Sequence, residues 1–104
     1  MIIFRDLNNR IIRLTDERKN HFENDHPEMS DQIEKIKETL LNPDIIILSN
    51  SDNSIEMFYK YYETTPVANK YICILVKVLD SDNFIVTSYF TNAVKKGEVI
   101  WKSK

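Results

Sequence analysis

The sequence predicts an α+β domain: two helices packed on one face of an antiparallel β-sheet of about four strands, preceded by a short hairpin. Three observations predict it. At 104 residues the chain is one domain's length, enough to bury a core without staples. Helical patterning is confined to one block between Thr15 and Leu41. Strand patterning lies on either side of that block, so the element order reads ββ-αα-ββββ and the two types are segregated. No repeat, linker or low-complexity tract interrupts it.

Each element has its own signal. Ile2 to Arg5 is a short apolar run, Asn8-Asn9 a turn pair because Asn tolerates left-handed backbone, and Ile11 to Leu14 a second run, together a hairpin. Thr15 is a helix N-cap, with Asp16 and Glu17 in the first turn where the helix dipole favours anions. That helix runs to about Asp25, because His26 precedes Pro27 and is pushed away from α geometry. A second helix starts near Ser30; Ile33, Ile36 and Leu40 repeat at helical spacing until Asn42-Pro43 ends it.

The rest is strand and turn. Asp44 to Ser49 holds Ile45, Ile46, Ile47 and Leu48, a buried pattern, and Asn50 to Asn53 turns it. Ser54 to Glu63 is rich in aromatics, Thr64 to Asn69 is a loop around Pro66, and Lys70 to Leu79 is a long central strand. Ser81-Asp82-Asn83 turns into Phe84 to Thr91. Lys95 to Glu98 holds the only glycine and reads as a turn, before an edge strand at Val99-Ile100-Trp101.

Composition narrows the function classes. Hydrophobic residues make up 42% and charged residues 29%, as in an ordinary globular chain. One cysteine, Cys73, precludes an internal disulfide and fits a reducing compartment. The N-terminus has a three-residue apolar run and no cleavage-site pattern, and no run is long enough to span a membrane, so a cytoplasmic location is expected. A net charge of −2 argues against nucleic-acid binding by bulk charge. The charge is uneven, however: from Thr64 onward Lys70, Lys77, Lys95, Lys96, Lys102 and Lys104 face only Asp80, Asp82 and Glu98.

Period-2 alternation sorts the central strands into faces. Ile72, Ile74, Val76 and Val78 share one face; Phe84, Val86, Ser88 and Phe90 share a face of the next strand. The expected core joins Ile72, Ile74, Val76 and Val86 with Ile33, Ile36 and Leu40. The second face gathers Lys77, Thr87, Tyr89 and Thr91 on neighbouring strands. Thr and Tyr are normal strand formers on a solvated face, whereas a lysine in mid-strand among Val and Leu is less usual.

The stretch Arg13 to Met29 holds both histidines, His21 and His26. They are five residues apart, not the i, i+4 spacing of a metal pair, and no HExxH or Cys/His cluster is present, so no metal site is expected. The plain reading is a half-buried His21 and a capping His26; the chemical reading is an acid, a base or a phosphate-binding cation.

Several stretches together resemble a phage-linked nuclease branch of the barnase–EndoU–colicin–RelE superfamily. They are R-L-T-x-E-R-x-x-H from Arg13 to His21, H-P-E-M from His26, the V-K ending at Lys77, F-I-V-T-S-Y-F-T from Phe84, and K-K-G-E-x-x-W from Lys95 to Trp101. The resemblance spans about residues 10 to 102 and rests on order and spacing. This chain departs at Lys19, where relatives carry Trp, and at Ser88, where they carry Ala. The resemblance implies an endoribonuclease without metal or cofactor, acting as a toxin or phage-linked effector. RNA and a cognate antitoxin or inhibitor protein are the implied partners.

Such cleavage needs a base for the 2′-OH, an acid for the leaving 5′ oxygen, and cations for the phosphorane. The expected catalytic group is His21 or His26 with Lys77 and Thr87, around one cleft. Arg13 and Arg18 are expected at the phosphate, Tyr89 as a hydrogen-bond donor, and Tyr62 or Tyr59 as a base-stacking ring. The competing class is a non-catalytic protein-interaction module or an inactive relative, with the aromatic strand as its interface.

Overall fold

The computed structural model describes all residues from Met1 to Lys104. Strands β1 (Ile2–Arg5) and β2 (Ile11–Leu14) pair antiparallel, and Asn9 takes the left-handed conformation, φ 63°, in their turn. The Asp6 carboxylate is buried in that turn. It accepts from the backbone of Asn8 and Arg10 at 3.0 and 2.9 Å and from Arg10 Nε at 2.7 Å. The Arg10 guanidinium then reaches Glu56 at 2.6 Å, which ties the hairpin turn to a strand 46 residues away.

Helix α1 (Asp16–Asp25) starts where Thr15 Oγ1 accepts from the Arg18 N–H at 3.2 Å, and only Phe22 on it is buried. It stops at His26, as the following proline requires. A single 3₁₀ turn, Pro27–Met29, buries Met29. Helix α2 (Ile33–Leu41) buries Ile36, Thr39 and Leu40. Ser30 does not cap it: Asp31 takes φ 63°, and the helix begins after Gln32 with no side-chain cap.

Strands β3 (Ile45–Leu48), β4 (Ile55–Tyr61), β5 (Tyr71–Val78) and β6 (Asn83–Thr91) form an antiparallel meander, and β7 (Glu98–Lys102) follows. The molecule is α+β with two helices, but the four-strand antiparallel sheet is corrected. The sheet has seven strands in the order β1-β2-β6-β5-β4-β3-β7 and is mixed, because β2 runs parallel to β6. The hairpin therefore does not stand apart. Ile12 and Leu14 bury on the helix side with the meander's residues, and Arg13 sits opposite Phe84. At the other edge β7 pairs antiparallel with β3.

The helix face carries one core in which Phe22, Ile36 and Leu40 meet Ile12, Leu14, Phe58, Ile72, Ile74 and Val76. Ile33 packs at its margin. Val86 is not in it; Ile85 is. Leu75 pairs with Thr87 but Val76 pairs with Ile85, so Val86 is the extra residue of a β-bulge, and alternation flips across it.

The opposite face is also covered. To reach β7 the chain leaving β6 must cross β5, β4 and β3, and residues 92–97 make that crossing as a strap. Beneath it Ile47, Met57, Tyr59 and Cys73 are buried, with Val94 packed against them. The Lys95 N–H donates to Tyr59 Oη at 3.3 Å, and Asn50 Nδ2 donates to the Lys96 carbonyl at 3.2 Å. Gly97 lands on β3 so closely that a Cβ there would stand 2.6 Å from Ile47 Cγ2 and 2.8 Å from the Leu48 carbonyl oxygen. No helix is long and apolar enough to cross a membrane.

Candidate functional site

The strap face is laid out in rows fixed by strand register. Tyr89, Cys73 and Tyr59 form one row; Thr87, Leu75 and Met57 the next; Phe84, Lys77 and Ile55 a third, with Arg13 beyond Phe84. Thr87, Tyr89 and Lys77 thus share the face that alternation assigns to them. Their rows are spread out: Lys77 and Cys73 are four residues apart on β5, so the Tyr89 and Lys77 rows lie roughly 13 Å apart at about 3.3 Å per residue. The strap covers the Cys73, Tyr59 and Met57 part of this face, and what stays accessible, the β6 side with half-buried Thr87 and Tyr89 and the Lys77 row, forms an open surface, not a cleft. The one sizeable depression, about 610 Å³, lies between α2 and Tyr62–Thr64 and is lined by side chains of both charges, among them Glu34, Lys35, Glu38 and Glu63.

His26 reaches this face from the end of α1. Its backbone N–H closes the helix on the Phe22 carbonyl at 2.7 Å, and Pro27 keeps the residue out of α geometry, at φ −132° and ψ 77°. The imidazole is 37% exposed, its Nδ1 is 3.8 Å from Glu28 Oε2, and its ring centroid lies 5.4 Å from that of Tyr89, tilted by 35°. Burial, and then the nearby Cys73 thiol, pushes the Tyr89 hydroxyl above its ordinary pKa. Burial acts in the same way on Tyr59. Burial pushes Cys73 up to about 11, with hydrogen bonds to both tyrosines and the Lys95 charge offsetting part of the rise. At neutral pH all three are protonated, so Tyr89 is a hydrogen-bond donor.

The two cations in the far row have partners. Lys77 Nζ contacts Asp52 Oδ2 at 2.8 Å, and the turn fixes Asp52 Oδ1 through the Ser54 N–H at 2.9 Å and hydroxyl at 2.5 Å. Arg13 makes a bidentate pair with Asp82 at 2.8 and 2.9 Å and lies 5.6 Å from the Phe84 ring centroid. Arg13 therefore acts as a clip between β2 and the start of β6, not as a free phosphate ligand.

Three expected residues lie elsewhere. His21 projects from α1 with its side chain 69% exposed, 3.6 Å from Asp25. Arg18 is exposed in the first turn of α1. Tyr62 turns to the helix side, where its hydroxyl donates to Glu38 Oε1 at 2.5 Å and its ring lies 5.5 Å from the Lys35 ammonium. Tyr59, the alternative stacking ring, is fully buried. The cleft that was to hold either histidine with Lys77 and Thr87 is thus reduced to an open face with His26 at its rim. Sequence reasoning gave no site role to Asp52 and Asp82, which sit in turns, and counted Lys95 and Lys96 in the uneven C-terminal charge and in the K-K-G-E-x-x-W stretch without placing them at the site. No group of three or more His, Cys, Asp and Glu side chains converges to hold a metal.

The clips give a pH prediction. Asp52 is held below the ordinary carboxylate range by hydrogen bonds from Lys77 and Ser54, and Asp82 is held low by the Arg13 pair. A depressed carboxylate stabilises the fold above its unfolded pKa, about 4, and that stability is lost as pH falls through the folded value. The melting temperature is therefore expected to hold from pH 7 to 5 and to fall steadily below about pH 4. Asp52→Asn should flatten part of the fall; circular dichroism melts across the series check both.

No family model, curated protein or solved structure matches this chain.

Proposed function

We propose that the chain is a cytoplasmic, metal-independent endoribonuclease that cleaves RNA by attack of a 2′-OH on the adjacent phosphate. In this reading it acts as a toxin or phage-linked effector that a cognate antitoxin or inhibitor restrains. One observation carries the reading. The His26 imidazole packs on Tyr89 at the rim of the face where Thr87 and Lys77 also stand. A half-exposed imidazole can take the 2′-OH proton or protonate the leaving 5′ oxygen. Protonated Tyr89, together with the Thr87 hydroxyl, donates to non-bridging oxygens as their charge grows. Lys77 supplies positive charge by exchanging Asp52 for phosphate. The resemblance to the nuclease superfamily supports the same residues.

The test is chemical. A single-stranded RNA is expected to yield fragments ending in 2′,3′-cyclic phosphate, while the matched 2′-deoxy strand stays intact. Equal cleavage of both strands, or 5′-phosphate products, would end the proposal.

A second reading, a non-catalytic interaction module, is favoured by the edge strand β7. Val99, Ile100 and Trp101 are all exposed there. That reading predicts that purified protein leaves RNA unchanged.

A further inference from the structure

Resting on the ribonuclease reading, we infer that the strap is a cationic clamp. In it Lys95 and Lys96 bind backbone phosphates of a single-stranded RNA lying across the Tyr89–Thr87 face. The first ground is charge accounting. Arg13 and Lys77 are already matched by Asp82 and Asp52. Neither Lys95 nor Lys96 has a carboxylate within ion-pair distance, so on this face they stand unpaired where Arg13 and Lys77 do not.

The second ground is that the strap is fixed at three successive residues. The Lys95 N–H is bound to Tyr59 Oη, the Lys96 carbonyl to Asn50 Nδ2, and Gly97 is wedged against the Leu48 carbonyl. The backbone is therefore ordered while both side chains stay exposed. A clamp so preorganised loses little conformational freedom on binding.

The third ground is position. The strap leaves β6 two residues after Tyr89 and crosses directly over Tyr59, which lies in the same row as Tyr89 and Cys73. Tyr59 and Cys73 are buried beneath the strap, and Tyr59 lies two strands, roughly 10 Å, from Tyr89, so phosphates held at the strap would lie beside the Tyr89 end of the row, which His26 flanks. Lys77 must give up Asp52 before it can take a phosphate, whereas the strap lysines have no ion-pair partner to give up.

The experiment measures binding of a fluorescent 2′-O-methyl RNA, which lacks the attacking hydroxyl, across a salt series. Wild type is compared with Lys95→Gln/Lys96→Gln, Lys95→Arg/Lys96→Arg and Lys102→Gln/Lys104→Gln. The slope of log affinity against log salt is expected to fall by about 1.4 in the first variant, roughly 0.7 for each phosphate contact removed from a single strand. The arginine pair should restore it, and the tail pair should leave it unchanged. All four proteins should melt together, because the altered side chains are exposed. An unchanged slope in Lys95→Gln/Lys96→Gln, with wild type still cleaving unmodified RNA, overturns the clamp alone. Wild type that neither binds nor cleaves overturns the clamp and the ribonuclease reading together.

Discussion

Replacing His26 with alanine is expected to slow cleavage of a defined RNA by roughly 10²–10⁴-fold, the usual cost of losing a positioned acid or base. The loss should be kinetic and not structural. The imidazole is 37% exposed, and its contacts are a tilted ring and a carboxylate at 3.8 Å, whereas the helix end is closed by the His26 backbone, which alanine keeps. The melting temperature should therefore stay near that of wild type. His21→Ala supplies the contrast. Its side chain stands on the outer surface of α1 beside Asp25, so the variant should cleave at the wild-type rate. Single-turnover rates measured on both variants separate the two histidines. Equal effects would mean that neither acts at the reacting phosphate.

Gly97→Ala is expected to destabilise the fold by about 1–3 kcal/mol, the range for forcing an extra methyl group into a packed site. Exposure of residue 97 is no guide to the cost; what the new Cβ meets decides it. One obstacle is the Ile47 side chain, which can give a little. The other, at 2.8 Å, is the Leu48 carbonyl oxygen, part of the β3 backbone and unable to turn away without breaking sheet pairing. The strap must then lift, exposing Tyr59, Cys73 and Met57 beneath it. For a domain of this size each kcal/mol corresponds to about 4–8 °C in melting temperature. Thiol labelling gives a second readout: Cys73, buried in the wild type, should react faster in the variant. A variant that melts with wild type would mean that the strap does not press on β3.

What the sequence made legible follows from the range of each signal. Thr15, Pro27 and the Ile36–Leu40 spacing act within a few residues, so α1 and the buried face of α2 can be read directly. Strand positions are legible for the same reason. Strand neighbours are not: the parallel contact of Arg13 with Phe84 and the return of β7 to β3 join distant segments and leave no local trace. The Val86 bulge shows a subtler limit, since one unpaired residue inverts an otherwise sound alternation.

The candidate site divides in the same way. Lys77, Thr87 and Tyr89 were placed on one face by alternation. His26 was singled out by residue type and meets Tyr89 only because the 3₁₀ turn lies against β6. Arg13 was read as a free cation because its partner, Asp82, is remote in sequence. Tyr62 was read as a platform because a strand of aromatics does not announce which ring faces a helix.

The central claim is that the face rimmed by His26 cleaves RNA without a metal. The most direct measurement is incubation of purified protein with total RNA in excess EDTA, wild type beside His26→Ala. The account predicts fragmentation by wild type in EDTA and near-intact RNA with the variant. Activity that vanishes in EDTA and returns with magnesium or zinc, or equal fragmentation by both proteins, would contradict it.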